Sequence, residues 1–272
     1  MTRLAVLAGG GALPGRVARA AEASGLEVFV LAFEGESDAD VVDGRAHAWV
    51  GLGSVGRALD QLKAWQIDEV CLIGRVRRPN LSALKLDWRG ARLLSRLAME
   101  GQGDDRVLRT IVGELEREGF RVRGADELLA GLLAPAGVLT RLAPDAEAEA
   151  EIAHGVQIAR RLGELDVGQA VVVQRGLVLG VEAIEGTDAL LERCAGLRRD
   201  GPGGVLVKLK KPQQERRVDL PTVGPGTVAR ASAAGLGGIA VEAGQCLLVD
   251  RDEAVAAADR ADLFIVGFEP AT

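Results

Sequence analysis

Leu4-Ala-Val-Leu-Ala8 is an unbroken apolar run that ends in Gly9-Gly-Gly11, and an amphipathic stretch follows it. The same figure recurs through the first half of the chain. Residues 13–24 carry helical periodicity, with Pro14 suited to a first turn and Gly25 to a C-terminal cap. Apolar runs at 27–33, 47–50, 69–73 and 120–122 predict further strands, and 54–65, 90–99 and 104–118 predict the helices between them. Strands separated by helices of this length predict a Rossmann-like α/β domain, a parallel sheet covered on both faces.

The second half has a different texture. Ala134-Pro-Ala-Gly-Val-Leu-Thr-Arg-Leu-Ala-Pro144 carries two prolines and a glycine and reads as a linker. A helix over 145–162 follows, acidic at its start and closing on Arg160-Arg161, as the helix dipole favours. Runs at 170–174 and 177–181 flank Arg175-Gly176, a tight hairpin signal. Strands are predicted at 203–209, 238–242, 246–249 and 263–267, and helices at 187–197, 227–234 and 252–260. The expected organisation is an N-terminal Rossmann-like domain over 1–136 and a mixed α/β catalytic domain over 137–272.

Composition narrows the picture. Apolar residues make up 48% and aromatics 3%, with no tyrosine, so the core must be built from Ala, Val, Leu and Gly. A net charge of -6 argues against a nucleic-acid binder, which is ordinarily basic and carries stacking aromatics. Cys71, Cys194 and Cys246 are far apart and have neither metal-ligand nor disulfide spacing. With no cleavable signal and no bilayer-spanning run, the expectation is a cytoplasmic protein.

Candidate chemistry concentrates in one stretch, Lys208-Leu-Lys-Lys-Pro-Gln-Gln-Glu-Arg-Arg-Val-Asp219-Leu-Pro221. Its cations suit a phosphorylated ligand, and its aspartate a metal or a water; a charged surface loop is the alternative. Gly9-Gly-Gly-Ala-Leu-Pro-Gly15 lies between a strand and a helix, where glycines let backbone approach a phosphate. It is not a Walker loop, because Arg16-Val17 replaces Lys-Ser/Thr, and Pro14 spoils a dinucleotide fingerprint. A turn without ligand is the competing account, and Glu34 could still reach a ribose hydroxyl. Gly74-Arg-Val-Arg-Arg-Pro79 puts arginines at the carboxyl end of a strand, where open sheets bind oxyanions. Gly101-Gln-Gly-Asp104-Asp105 reads as a helix start. Glu182, Glu185 and Asp188, together with Asp219, could hold a hard divalent cation, while Thr187 reads as a helix cap. Only two histidines are present, His47 and His154, and neither has metal-ligand neighbours. Ser-His-Asp and Cys-His catalysis are thereby disfavoured, and histidine-rich dinuclear centres are excluded.

Taken in order, the motifs resemble one family. They are Ala8-Gly-Gly-Gly-x-Leu-Pro14, Gly74-Arg-Val-Arg-Arg-Pro79, Gly103-Asp-Asp105, Asp166-Val-Gly-Gln-Ala-Val-Val172 and Glu182-Ala-x-Glu-Gly-Thr-Asp188. Lys208…Lys211-Pro-x-Gln…Arg217-x-Asp-Leu-Pro-Thr-x-Gly224 and Ile239-Ala-Val-Glu-Ala-Gly244 complete the set. The chain is similar over its length to the LpxI-type UDP-2,3-diacylglucosamine diphosphatases. The resemblance implies magnesium-dependent hydrolysis in lipid A biosynthesis, giving UMP and 2,3-diacylglucosamine 1-phosphate from a substrate held between two domains. For that chemistry Asp219, Asp188 and Lys208 are the expected catalytic residues, with Asp219 and Asp188 also as Mg2+ ligands. Gly10, Gly11, Leu13, Arg75, Val76, Arg77, Asp104, Gly186, Thr187, Lys211, Gln213 and Arg217 are the implied substrate contacts. Three positions depart from the family pattern: Glu215 replaces an aspartate, Asp126 a histidine and Leu190 a methionine. Expected partners are the UDP-lipid and its lipid product, not nucleic acid, with a homodimer and peripheral contact with the inner membrane left open. The alternatives are a non-catalytic nucleotide-sugar or lipid carrier and a Rossmann-type oxidoreductase.

Overall fold

The computed structural model describes residues 2–77, 84–100, 104–129 and 131–269. The chain divides into two compact units, Met1–Ala130 with Glu215–Asp219, and Gly131–Gln214 with Leu220–Thr272.

In the first unit, β1 (Arg3–Ala8), β2 (Glu27–Phe33), β3 (Ala46–Val50), β4 (Glu69–Ile73) and β5 (Arg121–Val122) form an all-parallel sheet. Their order is β3-β2-β1-β4-β5. Unbroken apolar runs serve strands covered on both faces, and Leu4, Ala5, Val6, Ala8, Val30 and Leu31 are wholly buried. Among the described residues, five α-helices accompany the sheet: α1 (Leu13–Ala23), α2 (Val55–Ala64), α3 (Trp88–Glu100), α4 (Asp104–Arg117) and the single turn α5 (Ala125–Leu128). Leu59 and Leu62 of α2 and Val112 and Leu115 of α4 share one core with Leu7, Phe29, Leu31 and Val70. The strand order reverses between β1 and β4. The loops leaving those two strands therefore meet at the carboxyl edge, the place where open α/β sheets present ligand sites.

The second unit is a mixed six-stranded sheet in the order β6-β13-β11-β9-β7-β8. Its strands are β6 (Gly137–Val138), β7 (Ala170–Gln174), β8 (Leu177–Val181), β9 (Val205–Lys208), β11 (Gly238–Glu242) and β13 (Phe264–Phe268). β10 (Thr222–Val223) and β12 (Leu247–Leu248) pair separately. β9, β11 and β13 run parallel, whereas β6, β7 and β8 are antiparallel to their neighbours. The β7–β8 hairpin turns through Arg175 and Gly176, both at positive φ (52° and 74°), as a type I′ turn requires. One face of the sheet packs on α6 (Ala146–Glu164). A Cβ on Gly155 of α6 would meet Val207 Cγ2 at 2.6 Å, so helix and sheet approach as closely as glycine allows. The other face is covered by α7 (Gly186–Ala195), α8 (Pro225–Ala233) and α9 (Arg251–Arg260).

The stretch read as a linker is instead an edge of this sheet. β6 pairs with β13, and Thr140 Oγ1 accepts from the Ile265 amide at 2.9 Å. All three cysteines are free and buried, and burial pushes the Cys71 and Cys246 thiols up to about 12. Among the described residues, no helix is long and apolar enough to cross a membrane.

Candidate functional site

At the β1/β4 switch point the main chain is stitched together. The Gly10 amide donates to the Arg75 carbonyl at 2.8 Å, and the Arg75 amide donates back to Gly10 at 2.9 Å. Gly74, at φ 104°, makes this approach possible, since a Cβ there would lie 2.7 Å from the Gly9 carbonyl carbon. The Arg75 guanidinium lies over Gly11, and Leu13 opens α1 beside them. The Gly11 amide, the donor best placed for a phosphate, is taken by the Asp38 carboxylate at 2.7 Å. Arg77 is drawn away to Glu36, whose carboxylate accepts from the Arg77 amide at 2.9 Å and sits 3.3 Å from its Nε. Val76 between them is exposed. Arg78 and Pro79 of this motif lie outside the described residues, as do Gly101–Gly103 and the side chain of Asp104.

In the second unit, the end of β9 and the start of α7 build a buried polar relay. Lys208 is 6% exposed and Glu182 is 5% exposed, so both charged groups are removed from water. Lys208 Nζ donates to Thr187 Oγ1 at 2.8 Å and to the Thr222 carbonyl at 3.1 Å. Thr187 Oγ1 donates a hydrogen bond to Glu182 Oε1 at 2.6 Å, and Glu182 Oε2 accepts from the Gln169 amide at 3.1 Å. One hydroxyl thus joins a buried ammonium to a buried carboxylate, the satisfied form in which such charges are tolerated. An ammonium carries three donors, and among the described residues two of Lys208's are used.

This geometry revises the reading of Thr187 as a cap. Glu185 holds the N-cap position, and Thr187 lies inside α7 with its hydroxyl in the relay. Nor do the three carboxylates of the segment converge. Glu182 faces Thr187, Glu185 accepts from Arg193 at 2.7 Å, and Asp188 sits 3.4 Å from Arg230. Gly186, at φ 79°, turns the chain between them. Among the described residues, no three His, Cys, Asp or Glu side chains are grouped to hold a metal.

The cations that follow Lys208 have other tasks. Lys211 Nζ bonds Asp166 at 2.7 Å, and Gln213 Nε2 donates to the Gly163 carbonyl at 2.6 Å in the last turn of α6. Residues Glu215–Asp219 then belong to the first unit. There Arg217 grips both Glu215 oxygens, at 2.9 and 3.0 Å, and reaches Glu116 at 2.6 Å, while Arg216 pairs with Asp126. The Val218 and Asp219 amides both donate to the Glu215 carbonyl, so the segment folds as a turn that ends on Asp219. The Arg217 hydrogen bonds hold the Glu215 carboxyl below the usual range against its desolvation, and Arg109 adds attraction.

A carboxyl depressed in this way contributes stability that is complete above its unfolded pKa of about 4.3 and is lost as pH falls through the lower folded value. Hydrogen-exchange protection of the Val218 and Asp219 amides should therefore hold at neutral pH and collapse below about pH 4. Glu215→Gln should weaken that protection at neutral pH and flatten its pH dependence. An unchanged pH profile in the variant would remove this role.

Of the residues singled out in sequence, the structure thus brings Gly10, Gly11 and Arg75 together, and Thr187 with Lys208. It commits Lys211, Gln213 and Arg217 to packing contacts. Asp38 and Glu182 were missed as partners: Asp38 meets the Gly11 amide 27 residues away in sequence, with α1 and β2 between them, whereas Glu182 looked like one of three equivalent carboxylates.

Comparison with known proteins bears on the whole chain. A family model described as the LpxI N-terminal domain matches residues 3–132, and one described as the LpxI C-terminal domain matches residues 135–266. The UDP-2,3-diacylglucosamine pyrophosphatase LpxI of Caulobacter vibrioides is 44% identical over 277 residues, covering 99% of both chains. Among solved structures, a CobK precorrin-6A reductase aligns with 100% of this chain and 91% of its own, at 13% identity and a TM-score of 0.34. An N5-carboxyaminoimidazole ribonucleotide synthetase from Thermotoga maritima aligns with 74% of this chain and 44% of its own, at 15% identity and a TM-score of 0.25. With both of its domain models matched in order, and a full-length relative at that identity, the chain belongs to the LpxI family.

Proposed function

We propose that this protein hydrolyses the diphosphate of UDP-2,3-diacylglucosamine in lipid A biosynthesis, releasing UMP and 2,3-diacylglucosamine 1-phosphate. The observation that carries the reading is the match to a pyrophosphatase of that name over 99% of both chains. Water attacks the sugar-side phosphorus, the bond from that phosphorus to the bridging oxygen breaks, and UMP leaves with the bridging oxygen. Lys208 offers its remaining N–H to a phosphoryl oxygen, where charge builds in the transition state. The relay through Thr187 to Glu182 keeps that ammonium aimed. Asp219 accepts the proton of the attacking water. Arg75 and the Gly10–Gly11 loop receive the nucleotide end, with Asp38 yielding the Gly11 amide. Ile184, 83% exposed just before α7, offers an apolar contact to an acyl chain.

Mg2+ belongs to the same proposal. Magnesium is commonly held by one or two carboxylates together with substrate phosphates, not by an all-protein cage. The oxygen donors of Asp188 and Asp219 suit that chemistry, and among the described residues Asp188 has the long contact to Arg230. When bound, the ion neutralises charge on the diphosphate.

Incubation of the purified protein with the UDP-lipid in H2(18)O should release UMP and place the label in the lipid phosphate. EDTA should stop turnover and Mg2+ restore it. Tight binding without UMP release would favour a carrier, label in UMP would overturn the site of attack, and undiminished turnover in EDTA would remove the metal.

A further inference from the structure

The first unit carries a cleft of about 710 Å3 lined by Arg96 of α3 and by Arg106, Arg109, Thr110 and Arg117 of α4. The α4 residues lie at positions i, i+3, i+4 and i+11, which is one face of a helix. Val112 and Leu115 turn the other face of α4 into the core. Gly113 falls on the arginine face, and a Cβ there would meet only Arg117 Nη2, at 3.7 Å, so the floor of the cleft is open backbone.

The charges are unbalanced. Glu114 accepts from both Arg96, at 3.0 Å, and Arg117. Arg109 Nε donates to the Asp105 carbonyl at 3.4 Å, and Thr110 Oγ1 donates to the Arg106 carbonyl. The Arg106 guanidinium makes no hydrogen bond or ion pair among the described residues. Among the described residues, Glu114 pairs with two of the four guanidinium groups that line the cleft, and Arg109 is also attracted to Glu215. Like charges held this close are relieved by an anion, and planar guanidinium forks suit the oxygens of a phosphate.

We propose that this cleft binds a phosphate group bearing close to two negative charges, carried by a soluble phosphate compound or by a phospholipid headgroup. Arg106 and Arg109 supply the principal contacts, and Arg96 and Arg117 close the sides. The site goes beyond the hydrolytic reading, because none of these residues belongs to the proposed catalytic machinery. Its test reads binding without turnover.

The full-length protein is titrated with inorganic pyrophosphate. In parallel it is sedimented with phosphatidylcholine vesicles, with and without phosphatidic acid. Arg106→Gln/Arg109→Gln should weaken salt-sensitive binding of at least one probe by about tenfold or more while leaving the circular dichroism spectrum unchanged. In the wild-type protein the same probe should slow phenylglyoxal modification of Arg106 and Arg109, mapped by mass spectrometry; this arm needs no variant. Arginine-dependent binding of pyrophosphate identifies a soluble ligand, and arginine-dependent binding of phosphatidic acid vesicles identifies a headgroup. The proposal is overturned if neither probe binds. It is equally overturned if binding is unaltered by the double substitution and the arginines are unprotected, an outcome that leaves hydrolysis elsewhere untouched.

Discussion

Lys208→Met should cost roughly 3–5 kcal/mol of folding stability, the usual penalty for leaving a buried charge without its partner. The ammonium and Glu182 are both almost fully removed from water and are joined by the single hydroxyl of Thr187. Methionine preserves the length of the side chain but strands the carboxylate. The diagnostic measurement is a double-mutant cycle by denaturant unfolding. Adding Glu182→Gln to Lys208→Met should recover part of the loss, because an amide needs no counter-charge, whereas independent sites would simply add. UMP release should fall by about 10²–10³-fold in either background, since the phosphate donor is absent from both. Additive stability losses would show that the relay is not one unit, and near-normal turnover in the double variant would remove Lys208 from the chemistry.

Asp219→Asn is the second large effect. The substitution keeps the size and the Asp219 amide hydrogen bond to Glu215, and it removes the carboxylate's ability to accept a proton or hold a cation. Loss of a positioned general base typically costs about 10²–10⁴ in kcat, and a decline of that order is expected with KM for the UDP-lipid little changed. Thermal unfolding should stay close to wild type. A raised KM with kcat preserved would make Asp219 a binding residue, and a matching loss of stability would make it a structural one.

Much of the fold is legible because contiguous apolar runs bounded by glycine leave little choice of register or length. The runs at 27–33, 69–73, 170–174, 177–181 and 238–242 coincide with β2, β4, β7, β8 and β11. Two-residue strands such as β6 and β10 are invisible for the opposite reason. Their identity lies in the strand they pair with, and Gly137-Val138 has no pattern of its own.

The site was legible in part. Lys208 stands out as a charge at the end of an apolar strand, but Lys211 three residues later looks equally suited to phosphate. Only the fold separates them, because Lys208 enters the relay while Lys211 is spent on Asp166. The arginine cleft was hidden in the same way. Arg106, Arg109 and Arg117 lie on one helix, and the cleft also takes Arg96 from another, a neighbour the sequence does not show.

The return of Glu215–Asp219 to the first unit has a bearing on how the chain is made. Residues up to 129 emerge from the ribosome first, yet the piece that carries Arg217 to Glu116 follows 85 residues later, after β7, β8, α7 and β9. At translation rates of about 5–20 residues per second, that is a delay on the order of ten seconds. During it the N-terminal sheet must stand without its last segment. A gene cut between 130 and 131 would leave the first unit without Glu215–Asp219 and without the Arg217–Glu116 ion pair.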